Sequence, residues 1–194
     1  MRRKTAKEIL AESFREIAGT KNINKITIRD IVDNCGYSPA TFYRNFKDKY
    51  DLIAWEHTRG VAEIMSRIDA DSYTWKQSLC DGARWFDQER EYLTNLLQYT
   101  TGHDSFVRYM VEINYNALIK HILSVKGNQK PDQMEEMLAR TYCLGTVGLT
   151  CEWILGLYDI TPEEIADVYE YSLPVPLKKY LAAEPIENDR NLSL

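Results

Sequence analysis

Apolar residues along the chain recur mainly at intervals of three and four positions, which is the spacing of one face of an α-helix. The first such stretch carries Ile9, Leu10, Phe14 and Ile17, and Gly19 marks its end. No segment shows the regular alternation of apolar and polar residues that is typical of a β-strand. The pattern therefore predicts an all-α protein.

Start and stop signals divide the first 50 residues into three short helices and the beginning of a fourth. Thr27-Ile28-Arg29-Asp30 has the spacing of a capping box, in which the Thr and Asp side chains accept backbone N–H groups at a helix start. Gly36 ends this second helix. Ser38 is a good N-cap and Pro39 suits the first helical position, so a third short helix begins there. Asp48 is predicted to cap a fourth, long helix.

Longer helices are predicted for the rest of the chain. The fourth helix extends to about Ile68, and the next runs from about Tyr73 to Thr100. Another follows at about residues 132–157, and Thr161-Pro162-Glu163-Glu164 has the form of a start signal for the last one. Two prolines should break or kink that last helix, and the chain should end in a disordered tail; these positions are Pro174, Pro176 and residues 184–194.

The third helix carries aromatic and basic residues on different faces. Phe42 and Phe46 lie one turn apart and are predicted to anchor this helix in a small core with the first two. The remaining face would present short or polar groups that allow close approach to DNA and donate hydrogen bonds to base edges or phosphates. Two helices joined by a tight turn at Gly36, the second anchored by aromatic residues, indicate a helix-turn-helix. The candidate DNA-binding residues in and after this helix are Ser38, Pro39, Ala40, Thr41, Tyr43, Arg44, Asn45, Lys47 and Lys49.

The charge distribution favours DNA binding by the first part of the chain. Residues 1–50 hold 11 Lys and Arg against 6 Asp and Glu, whereas residues 51–194 hold 13 against 23. A basic head on an acidic body suggests that only the head meets a polyanion. The alternative is an ordinary three-helix subdomain with solvated charges. Tyr43, which the helix geometry turns away from the aromatic anchors, favours the DNA-binding interpretation.

The segment ITIRDIVDNCGYSPATFYRNFKDKYDLI resembles the DNA-binding signature of the TetR (tetracycline repressor-like) family of bacterial transcription regulators, and the resemblance covers about residues 5–55. It implies a homodimer in which each subunit places its third helix in the major groove of a palindromic DNA operator. Matched residue by residue, Thr27 and Arg29 would contact phosphates or bases from the second helix. Base edges would face Pro39, Ala40, Thr41 and Arg44, and the DNA backbone would be held by Tyr43 and Lys49.

Residues 51–183 are predicted to form a helical regulatory and dimerisation domain behind a DNA-binding domain of residues 1–50. The segment DQEREYLTNLLQYTTGHDSFVRYMVE is weakly similar to regulators of dihydroxyacetone kinase operons. Between residues 141 and 158 the only charged residue is Glu152, so this stretch should be buried in the subunit core and in a dimer contact together. Glycines there permit close helix approach, although a tight crossing within one chain is the alternative. The candidate interface residues are Gly145, Gly148, Leu149, Glu152 and Gly156.

Aromatic residues of the body are candidates to line a ligand cavity, because the chain holds 13 Tyr and 4 Trp. Aromatic side chains that simply fill the core are the alternative. The resemblance to the TetR family implies a ligand-responsive repressor with an unknown small-molecule effector, and the alternative is an activator or a regulator controlled by a partner protein. The candidate ligand residues, chosen for nearby polar groups on the middle helices, are Trp85, Tyr99, His103, Tyr109, Glu112 and Tyr115.

The sequence lacks the motifs that are typical of enzymes, metal-binding proteins and membrane proteins. The three histidines show no metal-ligand spacing, and no phosphate-binding glycine loop or nucleophile elbow occurs, so we expect no enzyme, metal or cofactor. No apolar run reaches the ~18 residues that span a bilayer, and a cytoplasmic location with reduced cysteines is expected. The remaining rival is an interaction protein that does not bind DNA, which the basic face of the third helix argues against.

Overall fold

The computed structural model describes residues 3–67, 73–99 and 103–181, and its regular structure is helical throughout these ranges. No β-strand occurs within them, which confirms the predicted all-α fold. The predicted tail of residues 184–194 lies outside the described residues. In chain order the helices are α1 (Ala6–Ala18), α2 (Ile28–Cys35), α3 (Pro39–Asn45), α4 (Lys49–Met65), α5 (Trp75–Gln88), α6 (Arg90–Tyr99), α7 (His103–Val125), α8 (Gln133–Ile154), α9 (Pro162–Ser172) and α10 (Val175–Leu181), with a 3₁₀ turn at Ile23–Lys25.

Helices α1, α2 and α3 pack around a small apolar core, the head of the molecule. Phe14, Ile31 and Phe42 are fully buried there, and Phe46 is nearly so. Phe42 on α3 and Phe46 at its C-cap are therefore core anchors, as predicted. The hydroxyl of Ser13 donates to the carbonyl of Ile31 at 2.7 Å and ties α1 to α2.

Helix α4 joins the head to the helical body without a linker. Its N-cap is Asp48, whose carboxylate accepts the N–H groups of Tyr50 and Asp51 at 2.8 and 2.9 Å. Leu52, in its first turns, is fully buried in the core. Farther along, α4 packs against α5 and α7 of the body. One continuous helix thus crosses the boundary predicted at residue 50.

The body is built from two principal helix pairs, α7 with α8 and α5 with α9. Tyr142 on α8 and Tyr169 on α9 connect the pairs, because the Tyr142 hydroxyl donates to the Tyr169 carbonyl at 3.1 Å. The Tyr169 hydroxyl in turn hydrogen-bonds to Thr150 at 2.6 Å. The predicted break at the prolines is present: α9 ends at Ser172, and the backbone of Leu173 is extended, as the residue before a proline prefers to be.

The prediction of one helix from Tyr73 to Thr100 is wrong, because α5 ends at Gln88 and α6 begins at Arg90. Arg90 gives the physical reason. Its guanidinium donates to the carbonyls of Trp153 and Ile154 at 2.6 and 3.2 Å and lies 4.5 Å from the centre of the Trp153 ring. These are the last carbonyls of α8, which a cation satisfies well. The break between α5 and α6 is therefore accompanied by a contact of Arg90 with the end of α8, about sixty residues farther along the chain.

Candidate DNA-binding surface and ligand cavity

The turn between α2 and α3 has the geometry that a helix-turn-helix needs. Gly36 adopts a left-handed conformation with φ 71°, which glycine reaches without steric cost. The N–H of Tyr37 returns to the carbonyl of Val32 at 2.9 Å and closes the end of α2. Ser38 then caps α3, because its hydroxyl accepts the N–H of Thr41 at 3.2 Å. This local chemistry fixes the angle at which α3 leaves the turn.

Helix α3 presents one exposed face opposite its buried aromatic anchors. Tyr43 is 61% exposed although its ring touches Phe42 edge to face, with ring centres 5.7 Å apart. Asn45 is half-buried, and its amide donates to the carbonyl of Thr41 at 2.8 Å, which braces the helix. The predicted set therefore shares one surface, on which Ser38, Pro39, Ala40, Tyr43, Arg44 and Lys47 are exposed and Thr41 is half-buried.

The start of α2 lies beside this surface. The capping box predicted for Thr27 and Asp30 is present, because the N–H of Asp30 donates to the Thr27 hydroxyl at 3.1 Å and the N–H of Thr27 donates to the Asp30 carboxylate at 2.7 Å. Hydrogen bonds from Lys21 and Thr27 hold the pKa of the Asp30 carboxyl well below its usual range. The Arg29 side chain is 86% exposed and approaches Asp33 at 3.5 Å. Its guanidinium can therefore reach a phosphate with little rearrangement.

Lys49, a predicted contact to the DNA backbone, makes hydrogen bonds within the head. Its ammonium donates to the carbonyls of Ile23, Asn24 and Ile26 at 2.7, 3.2 and 3.1 Å. An ammonium carries three N–H donors, so these three bonds use all of them. Desolvation lowers the pKa of this lysine. The geometry makes Lys49 a brace between α4 and the 3₁₀ turn, and the predicted contact with the DNA backbone would require these hydrogen bonds to open.

An apolar cavity of about 120 Å³ lies within the body, enclosed mainly by α4, α5, α7 and α8. Its wall contains Trp85 and Phe86, whose ring centres are 5.1 Å apart. Tyr142 and Tyr169 also line it, and burial raises the pKa of both phenols far above the ordinary value. The cavity therefore combines apolar and aromatic surfaces with hydroxyl groups already engaged in hydrogen bonds.

Of the predicted ligand residues, only Trp85 is found in this wall among the side chains that the structure describes. Tyr109 is exposed on α7. Glu112 is paired with Arg140, whose guanidinium lies 4.8 Å from the Tyr115 ring centre, so these residues face the outside of the α7–α8 pair. The side chains of Tyr99 and His103 lie outside the described residues.

The prediction missed most of the wall, including two glycines. Gly60 on α4 and Gly82 on α5 both line the cavity. A glycine inside a helix is unfavourable by about 1 kcal/mol relative to alanine. Two glycines inside neighbouring helices were therefore the signal in the sequence that could have located the cavity. The other missed residues include Trp75, Phe86, Met110, Asn114, Tyr142 and Tyr169.

Helix α8 exposes an apolar strip toward the outside of the subunit. Leu144 is 55% exposed, Gly145 is exposed, and Gly148 and Leu149 are half-buried. Glu152 is exposed on the same helix and accepts the hydroxyl of Tyr158 at 3.2 Å, so its carboxylate does not reach the apolar cavity. Other exposed apolar residues on α8, α9 and α10 are Met134, Met137, Val168, Tyr171 and Val175.

Gly156 does not belong to the interhelical glycine pattern in which the prediction placed it. Helix α8 ends at Ile154, and Gly156 adopts φ 82° in the turn that follows. The N–H of Leu157 returns to the carbonyl of Glu152 at 3.0 Å across this turn. The requirement at Gly156 is therefore a left-handed backbone at a helix C-terminus.

The described residues offer no sign of metal or membrane chemistry. No group of three or more His, Cys, Asp or Glu side chains among them is arranged to hold a metal ion. The four cysteines are free thiols. Within the described ranges, no helix combines the length and the apolar composition required to cross a bilayer. The geometry that carries function is a helix-turn-helix joined by one helix to a body with a cavity, which defines a DNA-binding regulator.

Family comparisons specify this class further. Residues 9–54 match the model of the bacterial regulatory proteins of the TetR family, and residues 73–173 match the model of a transcriptional regulator C-terminal region of that family. The chain therefore belongs to the TetR family of transcriptional regulators, whose fold and domains are those of a transcription factor rather than an enzyme. A search of curated proteins finds no match to the chain.

Several solved structures share the fold at low sequence identity. The dihydroxyacetone kinase operon activator DhaS is 19% identical, with a TM-score of 0.65 over 91% of this chain and 98% of its own. The TetR family repressor AlkX from Dietzia sp. is 15% identical, with a TM-score of 0.59 over 94% and 100% of the two chains. The repressor FadR from Thermus thermophilus, solved with lauroyl-CoA, is 13% identical, with a TM-score of 0.59 over 93% and 97%.

Proposed function

We propose that the protein is a homodimeric, sequence-specific transcriptional regulator that binds a palindromic operator through α3 and responds to a small molecule in its body. The observation that carries the proposal is the division of α3 into two faces. Phe42 and Phe46 fix the helix to the head, while Tyr43 and Arg44 stand exposed on the other side. An exposed guanidinium at this place can donate a bidentate hydrogen bond to a guanine edge.

The exposed apolar residues of α8, α9 and α10 support a second copy of this chain as the partner. Tyr171 is 83% and Val175 is 75% exposed, and Leu144 on α8 is 55% exposed. Large exposed apolar side chains on neighbouring helices favour a protein–protein contact. To bind a palindromic operator, the two copies of α3 in such a dimer must lie about 34–36 Å apart, which is the separation of successive major grooves on one side of DNA.

The sign of regulation follows from where the operator lies relative to the promoter. Repression is our first proposal, because the sequence resembles the family of tetracycline repressor-like regulators and the name of AlkX describes a repressor. Activation is the second, because a structure of similar fold is named an activator. A reporter gene behind the selected operator distinguishes them, since deletion of the regulator raises expression under repression and lowers it under activation.

DNA binding is tested with operator fragments selected from genomic DNA and measured by fluorescence anisotropy. We expect Arg44→Ala to relax preference at one or two base pairs, with a loss of about 1–3 kcal/mol on the specific site and little on random DNA. Lys130→Ala removes a similar charge from an exposed loop between α7 and α8 and should leave both affinities unchanged. An equal loss on specific and random DNA would exclude Arg44 from base reading.

A further inference from the structure

A second, polar cavity adjoins the apolar one at the boundary between head and body. It measures about 330 Å³ and lies between α1, α4 and α5. Gly60, Ile64 and Trp85 line both cavities and thus form the wall that they share. An apolar space that continues into a polar one suits a molecule with one apolar and one polar end.

Two helix-interior glycines keep the apolar cavity open. A Cβ atom on Gly60 would meet only Trp85 Cζ2 at 4.0 Å, and one on Gly82 would meet only Ile64 Cδ1 at 4.0 Å. These are ordinary contact distances, so close packing requires neither glycine. Glycine is nevertheless the least favourable residue in a helix interior after proline. We therefore attribute both glycines to the space that they leave in the cavity, which any larger side chain would fill.

The size of the apolar cavity limits the apolar end of a ligand. A volume of about 120 Å³ is somewhat smaller than a dry cavity of ~150 Å³ that holds one benzene molecule. The aromatic side chains in its wall, among them Trp75, Phe86 and Tyr142, offer edges and faces to a flat ring. The space accordingly fits a single aromatic ring or a short aliphatic chain.

The wall of the polar cavity is rich in hydrogen-bond donors. It contains four guanidinium groups, each with five N–H donors, against three carboxylates. Arg67 pairs with Asp81 at 3.2 Å and lies 5.6 Å from the centre of the Tyr73 ring, and Arg59 pairs with Glu8 at 3.3 Å and lies over the Trp55 ring. The buried Nε of Arg15 has no hydrogen-bond partner. The arginines are Arg15, Arg59, Arg67 and Arg84, and the carboxylates are Glu56, Glu63 and Asp81.

We propose that the effector is a small carboxylic acid bearing one aromatic ring or a short aliphatic chain. The apolar part occupies the apolar cavity, the molecule extends past the boundary that Gly60, Ile64 and Trp85 form, and the carboxylate accepts hydrogen bonds from the arginines of the polar cavity. This inference rests on the proposed function only in assuming that the body binds a small molecule. It specifies the recognition chemistry. The space at Gly60 and Gly82 limits the size of the ring, and Arg59 and Arg67 give the preference for an acid.

The test uses the full-length protein with phenylacetate and 3-phenylpropionate, each compared with 2-phenylethanol, a neutral molecule of similar size. Binding is measured by calorimetry and by tryptophan fluorescence, since Trp75 and Trp85 line the cavity. We expect at least one acid to bind tenfold or more tightly than the alcohol. Equal binding of acid and alcohol, or no binding of either acid, would overturn the inference.

Variants locate the two ends of the ligand. Arg67→Gln and Arg59→Gln should each reduce the preference for the acid several-fold and leave binding of the alcohol unchanged. Arg140→Gln, which removes a half-buried guanidinium paired with Glu112 outside both cavities, is the matched control and should change neither the acid preference nor the binding of the alcohol. An acid preference that survives in both arginine variants would exclude the polar cavity as the site of the carboxylate.

Two further variants test the apolar end. Gly60→Met should abolish binding of all three molecules, because its side chain fills the shared wall. Gly60→Ala, which the 4.0 Å clearance tolerates, should fold as well as the wild type and weaken 3-phenylpropionate more than phenylacetate. Equal effects on the two acids would contradict the size argument.

Operator binding separates this inference from the proposed function. If an acid binds but operator affinity does not change, the ligand class stands and the ligand-responsive part of the proposed function fails. If operator binding is intact and no acid binds, the inference fails while the DNA-binding function stands.

Discussion

Helix starts are fixed by nearby residues in both the head and the body, but the packing of the body depends on contacts between residues much farther apart in the sequence. In the head, each helix start is fixed by residues three positions apart, as at Thr5 with Glu8 and Thr27 with Asp30. In the body, decisive contacts join distant residues, such as Arg90 with the carbonyl of Trp153. The head is also densely packed at its centre, whereas the body holds an apolar cavity among its helices.

This difference matches the two tasks proposed for the protein. A helix that reads base edges must be held in one orientation, which local caps and the buried aromatic anchors of α3 achieve. A body that exchanges small molecules needs space and surfaces that can repack. The boundary between them carries buried polar atoms without partners, including His57 Nε2, Tyr92 Oη and Asn95 Oδ1. Unsatisfied groups of this kind make the boundary easier to rearrange than the core of either part.

The largest effect is expected from truncation of the head core. Phe42→Ala removes a fully buried ring and should lower the free energy of unfolding by about 3–5 kcal/mol. Met110→Ala changes a nearly buried side chain that already borders the apolar cavity, and we expect a loss of only about 2 kcal/mol, near the lower end for such substitutions. Urea unfolding followed by circular dichroism measures both. A larger loss for Met110→Ala would show that the body is packed as tightly as the head.

The same difference in range explains which features could be predicted from the sequence. Helix starts at Thr27, Ser38 and Thr161 were predicted correctly, because a cap depends on a few neighbouring residues. The ligand candidates Tyr109 and Glu112 were chosen on α7 without knowing which face of that helix meets α8, and they lie outside the cavity. Which face meets the cavity depends on the partner helices, and the sequence of α7, which mixes polar and apolar residues along its length, does not specify it.

The next largest effect concerns the boundary and its dependence on pH. His57 on α4 is buried against the rings of Trp85 and Phe86, and desolvation lowers its pKa from 6.5 to about 4. As the pH falls from 6.5 to 4, the unfolded chain binds a proton that the folded protein does not, so folding stability falls. The shift corresponds to a loss of roughly 3 kcal/mol.

His57→Phe should remove this pH dependence, because phenylalanine fits the same aromatic cluster and does not titrate. Urea unfolding at pH 4, 5, 6 and 7 measures it. Burial raises the pKa of the neighbouring Glu56, so that this carboxyl favours folding as the pH falls. Both proteins carry Glu56, so its effect cancels to first order when the free energies of unfolding of the wild type and His57→Phe are subtracted at each pH. Parallel stability curves for the two proteins would show that His57 is accessible to protons in the folded state.

The smallest effect distinguishes two lysines that are two residues apart in sequence. Lys49 donates to three carbonyls of the head, whereas Lys47 is exposed beside α3. Lys49→Met should lower the free energy of unfolding by about 1–2 kcal/mol, since it leaves carbonyls without their charged donor. Lys47→Met should leave stability unchanged and reduce the slope of log affinity against log salt by about 0.9, the contribution of one phosphate contact. Anisotropy titrations at several KCl concentrations, with urea unfolding of the free proteins, measure both quantities. If Lys49→Met lowered the salt slope as much as Lys47→Met and left stability unchanged, Lys49 would be a phosphate ligand after all, and its three carbonyl contacts would have to open when DNA binds.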